Sequence, residues 1–72
     1  MAKPPAAIFA SNVARLREER GLTQEQLGWA ADIHQTAVAR IESGERRPTL
    51  ETIFKLAHGL EVPPADLFDG ID

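Results

Sequence analysis

Gln35 and Arg40 have side chains that could pair with the edges of nucleic-acid bases. A glutamine amide can make two hydrogen bonds to adenine, and an arginine guanidinium can make two to guanine O6 and N7. Both residues lie in a short helical pattern whose inward side is marked by Val38 and Ile41. With that side inward, positions 35, 36, 39, 40 and 43 point outward together. The pattern therefore predicts a helix with a base-reading face.

Thr36 and Ala39 extend that face, because a threonine methyl group and an alanine side chain can contact the methyl group of thymine. Arg46 and Arg47 follow in a polar loop, where they could neutralise phosphates and position the protein without reading sequence. These two arginines are equally typical of an ordinary solvated loop. The backbone amides at the start of the helix that begins near Gln35 can also donate to phosphates.

Five short helices are predicted to position these residues, because no segment shows the period-two alternation of a β-strand. They run from about Ala6 to Arg20, from a cap at Thr23 to about Ala31, from about Gln35 to Ser43, from a cap at Thr49 until the helix frays at Gly59, and over Pro64–Phe68. The chain of 72 residues is short enough for one domain, residues 1–72. We therefore expect an all-α bundle of five short helices.

The connection between the second and third helices carries the clearest local features. Thr23 and Gln26 have the spacing of a capping box, and Gly28 would let the third helix cross closely. Asp32 tolerates the left-handed backbone that a tight turn needs, and His34 is placed as the next cap, although histidine caps weakly. Two helices of about eight residues joined in this way have the geometry of a DNA-binding helix-turn-helix.

The composition limits the other function classes. The net charge is −3, whereas a basic footprint is usual for a DNA-binding protein. Residues 49–72 carry one lysine and five acidic residues, so the acid is concentrated in the last third and one face can remain mildly basic.

Several activities are not expected. The chain has no cysteine, and the spacing of His34 and His58 fits no common metal-ligand motif, so no metal, cofactor or small-molecule ligand is expected. A Ser/His/Asp set is absent, so no catalytic residue and no enzyme activity are expected. We find neither a signal peptide nor an apolar run of about 18 residues. The expectation is a cytoplasmic protein with no membrane partner.

Three segments together resemble the Xre/Cro family of phage-repressor-like helix-turn-helix proteins. They are Gly21–Leu27, Ile33–Gly44 and Arg47–Ala57, followed by Leu67-Phe68. The likeness covers about residues 8–68 and implies a lambda-repressor-like DNA-binding domain. Stand-alone domains of this kind resemble restriction–modification controller proteins, small phage repressors and some antitoxins.

The resemblance also implies roles for single residues. Gln35, Thr36 and Arg40 match base-reading positions. Gln24 matches a phosphate-contacting position, as do Ser43 and the loop with Arg46 and Arg47. Arg17 and Glu42 match a partly buried ion pair between the first and third helices.

Three residues depart from the family pattern: Gly28 replaces the usual alanine, Asp32 the usual turn glycine and His34 the usual serine or threonine cap. These changes predict a third helix that is more mobile before binding. His34 could also contact a phosphate, or simply act as a neutral cap.

The predicted assembly is a homodimer on duplex DNA with a two-fold operator, regulating transcription. Its interface is expected at the end of the fourth helix and on the fifth, and consists of Leu60, Val62, Leu67, Phe68 and Ile71. The alternative is a protein–protein interaction module, such as an antitoxin, that retains the fold. Trp29 lies away from the Leu27 stripe; it is expected to pack partly against helix 1 or the N-terminal arm, or else to contact a partner.

Overall fold

The computed structural model describes residues 3–71 and contains four α-helices followed by a short 3₁₀-helix. The elements are α1 (Pro5–Glu19), α2 (Gln24–Ala31), α3 (Gln35–Glu42), α4 (Leu50–Leu60) and the 3₁₀-helix η1 (Pro64–Phe68). No β-strand occurs within residues 3–71, so the all-helical prediction is confirmed there. The fifth element is a 3₁₀-helix and not an α-helix, because its five residues begin at a proline and bond from i to i+3, as in Asp66 N–H to the Pro63 carbonyl.

The hydrophobic core lies between the helices, where α2 packs against α3 and α4 while α1 packs against η1 and α3. Fully buried side chains come from all five elements; the largest are Leu27, Ile41, Leu56, Leu60, Leu67, Val13 and Val38. Each helix is therefore stabilised by packing against the others, since none of these short helices could bury its apolar face alone. Within the same residues, no helix is long and apolar enough to span a bilayer.

Buried Asn12 attaches η1 to α1. Its side-chain amide donates to the carbonyl of Leu67 at 2.9 Å and to the carbonyl of Asp69 at 2.8 Å. The two bonds satisfy both amide hydrogens and two carbonyls near the end of the chain. The sequence pattern does not indicate this role, because the partners of Asn12 lie 55 and 57 positions away.

The structure corrects the predicted end of α4. The helix does not fray at Gly59 but continues to Leu60, and Glu61 caps it in the left-handed conformation at φ 57°. A Cβ on Gly59 would lie 2.8 Å from the backbone nitrogen of Ala31, so the glycine permits close packing of α4 on α2. Leu50, at the start of α4, is exposed and contributes nothing to the core.

Candidate nucleic-acid interface

Both ends of α2, its N-terminal cap and the turn that leads to α3, are built as the sequence predicts. The Thr23 hydroxyl accepts from the Gln26 N–H at 3.0 Å, and the Gln26 side chain accepts from the Thr23 N–H at 2.9 Å, which completes the capping box. Asp32 ends α2 in the left-handed region at φ 58° and ψ 46°. An aspartate at this position costs less than a bulkier side chain, because a short polar group tolerates that conformation.

Gly28 lets the start of α3 approach α2 closely. A Cβ built on Gly28 would lie 2.7 Å from the Ile33 carbonyl oxygen and 3.2 Å from the Gln35 nitrogen. Both atoms are backbone, so they could move aside only if the turn itself moved. A glycine therefore stands where the family usually has alanine because α2 and the start of α3 lie too close for a Cβ at this position.

His34 caps α3 through its side chain. The ring Nδ1 accepts from the Thr36 N–H at 3.0 Å, which requires Nδ1 to be unprotonated and leaves Nε2 as the donor of the neutral ring. The imidazole is exposed beside the start of α3. The helix thus begins with a side-chain cap even though its cap residue is unusual.

The four predicted base-reading residues lie on the outer side of α3. Gln35, Thr36 and Arg40 are exposed, whereas Ala39 is half-buried. Val38 and Ile41 point into the core from the opposite side. The helical phase inferred from the sequence is therefore the phase of the structure.

The loop after α3 is attached to the end of the helix. Arg46 donates its backbone N–H to the Arg40 carbonyl at 3.1 Å. The Ser43 hydroxyl donates to the same carbonyl at 3.0 Å and accepts from the Glu45 N–H at 3.3 Å. Arg46 and Arg47 are both exposed on this loop, and Arg47 also lines an apolar cleft with Phe9, Ile53 and Phe68.

Glu45 holds Arg40 from the loop, an interaction that sequence reasoning missed. Arg40 Nε lies 3.3 Å from Glu45 Oε2, and both side chains are largely exposed. Because the contact uses Nε, the two terminal nitrogens of Arg40 keep their outward edge for another acceptor. The pair spans the end of a helix, so no helical periodicity could have indicated it.

Glu42 connects three elements beneath this face. Its carboxylate accepts from Arg17 Nε at 2.7 Å and from Arg17 Nη2 at 3.1 Å. Gln24 Nε2 donates to the same carboxylate at 3.1 Å. Hydrogen bonding to Glu42 raises the pKa of Arg17, against an opposing effect of burial, so the guanidinium stays charged at any ordinary pH.

Gln24, predicted as a phosphate contact, is therefore a half-buried residue held by Glu42. One hydrogen of its amide points to the carboxylate, and the second is not used by that bond. The side chain lies at the first position of α2, where backbone N–H groups also lack partners within the helix.

Two other predicted sets require correction. Leu60 and Leu67, expected at a subunit interface, are fully buried within the protomer, because α4 and η1 pack onto α1. Val62 and Ile71 are half-buried and Phe68 is 41% exposed, so only these three reach the surface. Trp29, predicted to pack partly against α1 or the N-terminal arm, is instead 72% exposed on α2; residues 1–2 of that arm lie outside the described residues.

The chain is similar to known proteins over most of its length. The sequence profile of the Helix-turn-helix family matches residues 13–67. The HTH-type transcriptional regulator y4dJ of Sinorhizobium fredii is 38% identical over 65 residues, 90% of this chain and 84% of its own length. The control protein C.BamHI of Bacillus amyloliquefaciens is 35% identical over 63 residues, which cover 86% of this chain and 78% of that protein.

A similar solved structure is that of the restriction-modification controller protein C.AhdI from Aeromonas hydrophila. It superposes with a TM-score of 0.85 at 33% identity, covering 88% of this chain and 96% of that one.

Proposed function

The chain belongs to the Helix-turn-helix family, and from this membership we propose that it binds duplex DNA sequence-specifically and regulates transcription as a homodimer. The observation that carries the proposal is the outer face of α3, where Gln35, Thr36 and Arg40 are exposed. The end of this helix is attached to α1 by the Arg17–Glu42 ion pair. Relatives named as regulators and controller proteins support the same function.

In this proposal α3 enters the major groove. Its eight residues make a helix of about 12 Å at a rise of about 1.5 Å per residue, comparable with a groove width of about 12 Å. Gln35 would pair with adenine and Arg40 with guanine, while the Thr36 methyl group and Ala39 would contact thymine methyl groups. Base reading would thus be divided between polar and apolar contacts.

Phosphate contacts would come from the edges of this face. Arg46 and Arg47 would lie along the DNA backbone after α3, and Ser43 would lie between them and the groove. The Nε2–H of His34 and the second amide hydrogen of Gln24 would donate at the other end. Such contacts position the protein without specifying sequence, and they explain how an acidic chain can bind DNA through local charge placement.

A two-fold dimer fits this function because a single α3 reads only a few base pairs. Two half-sites would then lie about 34–36 Å apart along the duplex.

A protein–protein interaction module is the alternative, favoured by the exposed Trp29 and by the net charge of −3. A module of this kind has no need for exposed arginines at the end of α3 and in the loop after it, where Arg40, Arg46 and Arg47 lie. One experiment distinguishes DNA binding from protein binding.

That experiment is binding-site selection from random duplex DNA with the full chain, in parallel with the variant Gln35→Ala/Arg40→Ala. We expect enrichment of a palindromic sequence by the wild type and loss of that enrichment by the variant. An unenriched pool from the wild type would reject sequence-specific DNA binding. A palindrome enriched equally by the variant would reject α3 as the base-reading helix.

A further inference from the structure

A carboxylate lies on the surface that is proposed to face DNA. Glu45 is in the loop after α3, and its side chain is 69% exposed. Glu42, the last residue of α3, is turned inward: its side chain is only 6% exposed and pairs with Arg17. Glu45 is thus an exposed negative charge beside Arg40, at a place where the negatively charged DNA backbone would approach.

The loop fixes this carboxylate relative to the end of α3. The Glu45 N–H donates to the Ser43 hydroxyl at 3.3 Å, and that hydroxyl donates to the Arg40 carbonyl at 3.0 Å. The next residue, Arg46, donates its N–H to the same carbonyl at 3.1 Å. With its backbone attached on both sides, Glu45 extends its carboxylate toward the Arg40 guanidinium, where Oε2 lies 3.3 Å from Nε.

Stability does not account for this pair of side chains. Both are largely exposed, and an exposed ion pair contributes little to the free energy of unfolding. Close to DNA the carboxylate of Glu45 is repelled by phosphates, and a hydrogen-bond donor on the DNA would offset that repulsion. The base donors in the major groove are the amino groups of cytosine and adenine. A carboxylate held at this place can therefore discriminate between bases.

We propose that Glu45 is a specificity-determining residue, which accepts a hydrogen bond from N4 of the cytosine whose guanine partner is read by Arg40. Because this role rests on the proposed DNA binding, it extends base reading from α3 into the loop that follows. The major-groove edge of a G·C pair presents two acceptors, N7 and O6 of guanine, and then one donor, N4 of cytosine. Arg40 and Glu45 offer the complementary order, with two donors followed by an acceptor.

The order of the two side chains would distinguish G·C from the other three base pairs. In C·G and T·A the position opposite the carboxylate is occupied by purine N7, and in A·T it is occupied by thymine O4. Each of these atoms is an acceptor, so a carboxylate fixed opposite it would be repelled and left without a hydrogen-bond partner. Glu45 would thus select against the wrong base pairs, while Arg40 selects for the right one.

The test uses the palindrome selected by the wild type, at the base pair where Arg40→Ala loses discrimination. Its cytosine is replaced by N4-methylcytosine, in which a methyl group takes the place of the amino hydrogen that points into the major groove. The wild type should bind the methylated duplex about 10-fold more weakly than the unmodified one, as measured by fluorescence anisotropy. Glu45→Ala should bind the two duplexes equally, because the acceptor is gone.

Two further measurements make the comparison specific. Glu45 is exposed, so Glu45→Ala should keep the wild-type circular dichroism spectrum. The matched control is Asp66→Ala, which removes an exposed carboxylate from η1. This variant changes the net charge by the same amount, and it should remain as sensitive to N4-methylation as the wild type.

Three results would overturn the role of Glu45 and leave the proposed function intact. They are a selected palindrome with no G·C pair at the position read by Arg40, a wild type that binds both duplexes equally, and a Glu45→Ala variant that stays as sensitive to methylation as the wild type. An unenriched pool from the wild type has a different meaning, because it rejects sequence-specific DNA binding and the role of Glu45 together.

Discussion

Arg17 of α1 and Glu42 of α3 form a forked ion pair, with Nε and Nη2 of the guanidinium donating to the two carboxylate oxygens at 2.7 and 3.1 Å. Arg17 Nη1 also donates to the Leu22 carbonyl at 2.8 Å, just before α2. One arginine therefore joins α1, the entry to α2 and the end of α3. The outer face of α3 is therefore fixed to the body of the domain at the end where Arg40 lies.

Removing the carboxylate should be costly. Glu42→Ala would leave a largely buried guanidinium without its counter-charge, since the Arg17 and Glu42 side chains are only 15% and 6% exposed. We expect the free energy of unfolding to fall by about 3 kcal/mol, measured by urea denaturation. Because pairing with Glu42 raises the pKa of Arg17, the contribution of that shift is complete below the ordinary arginine value and fades only at more alkaline pH.

The matched control replaces both partners. Arg17→Met/Glu42→Leu removes the two charges together and fills the same space with apolar groups, so it should recover most of the stability. The single variants Arg17→Met and Glu42→Leu complete the cycle. A double variant whose loss of stability equals the sum of these two would show that the pair is not what stabilises the junction.

Gly28→Ala should destabilise the domain although alanine is the better helix former. Helix propensity alone would raise stability by about 1 kcal/mol. The added Cβ, however, would meet the Ile33 carbonyl oxygen at 2.7 Å, and relieving that contact should cost about 1–3 kcal/mol. Ala30→Gly, at an exposed position of the same helix, is the control for propensity. A Gly28→Ala variant that unfolds at higher urea concentration than the wild type would contradict the tight crossing.

The α2–α3 unit could be predicted from the sequence because its determinants are local. Thr23, Asp32 and His34 act on atoms within three or four residues, so the type and order of residues are sufficient. The ion pair of Arg17 and Glu42 was implied by resemblance only, since nothing local joins residues 25 positions apart.

The sequence does not predict which apolar residues of α4 are exposed. Such residues lie on several sides of this helix, so their spacing does not show which of them face the core. The structure buries Leu56 and Leu60 and exposes Leu50 and Phe54. Leu67 is predicted at a subunit interface but is buried in the structure, because the Asn12 bonds hold η1 against α1 and no local pattern indicates them.

The Arg46-Arg47 loop should contribute charge rather than specificity. For Arg46→Ala/Arg47→Ala we expect weaker binding to every DNA sequence. The slope of log K against log salt concentration should become shallower by about 0.9 for each phosphate that the variant no longer neutralises, as measured by fluorescence anisotropy. The control is Arg15→Ala/Arg20→Ala, which removes two arginines paired with Glu19 and Glu61 elsewhere on the surface. An unchanged slope in the loop variant would show that the loop is only solvated.

Arg40→Ala should reduce specificity for one base pair rather than affinity for DNA in general. If Arg40 pairs with guanine, its removal should cost about 1–3 kcal/mol at one base step and leave affinity for unrelated DNA nearly unchanged. Competition titrations with single-base substitutions in the selected site would measure this. Equal weakening on every sequence would assign Arg40 to the phosphates instead.

Glu45 provides a sharper version of the same test, because its carboxylate lies 3.3 Å from Arg40 Nε. Glu45→Gln keeps the size of the side chain but removes a negative charge near the DNA, so affinity for unrelated DNA should rise. The same change releases the guanidinium from one orientation, so discrimination at the guanine step should fall. Asp66→Asn, a carboxylate change on η1, is the control for net charge. If Glu45→Gln and Asp66→Asn raise affinity equally and leave discrimination intact, Glu45 acts only as a distant charge and does not position Arg40.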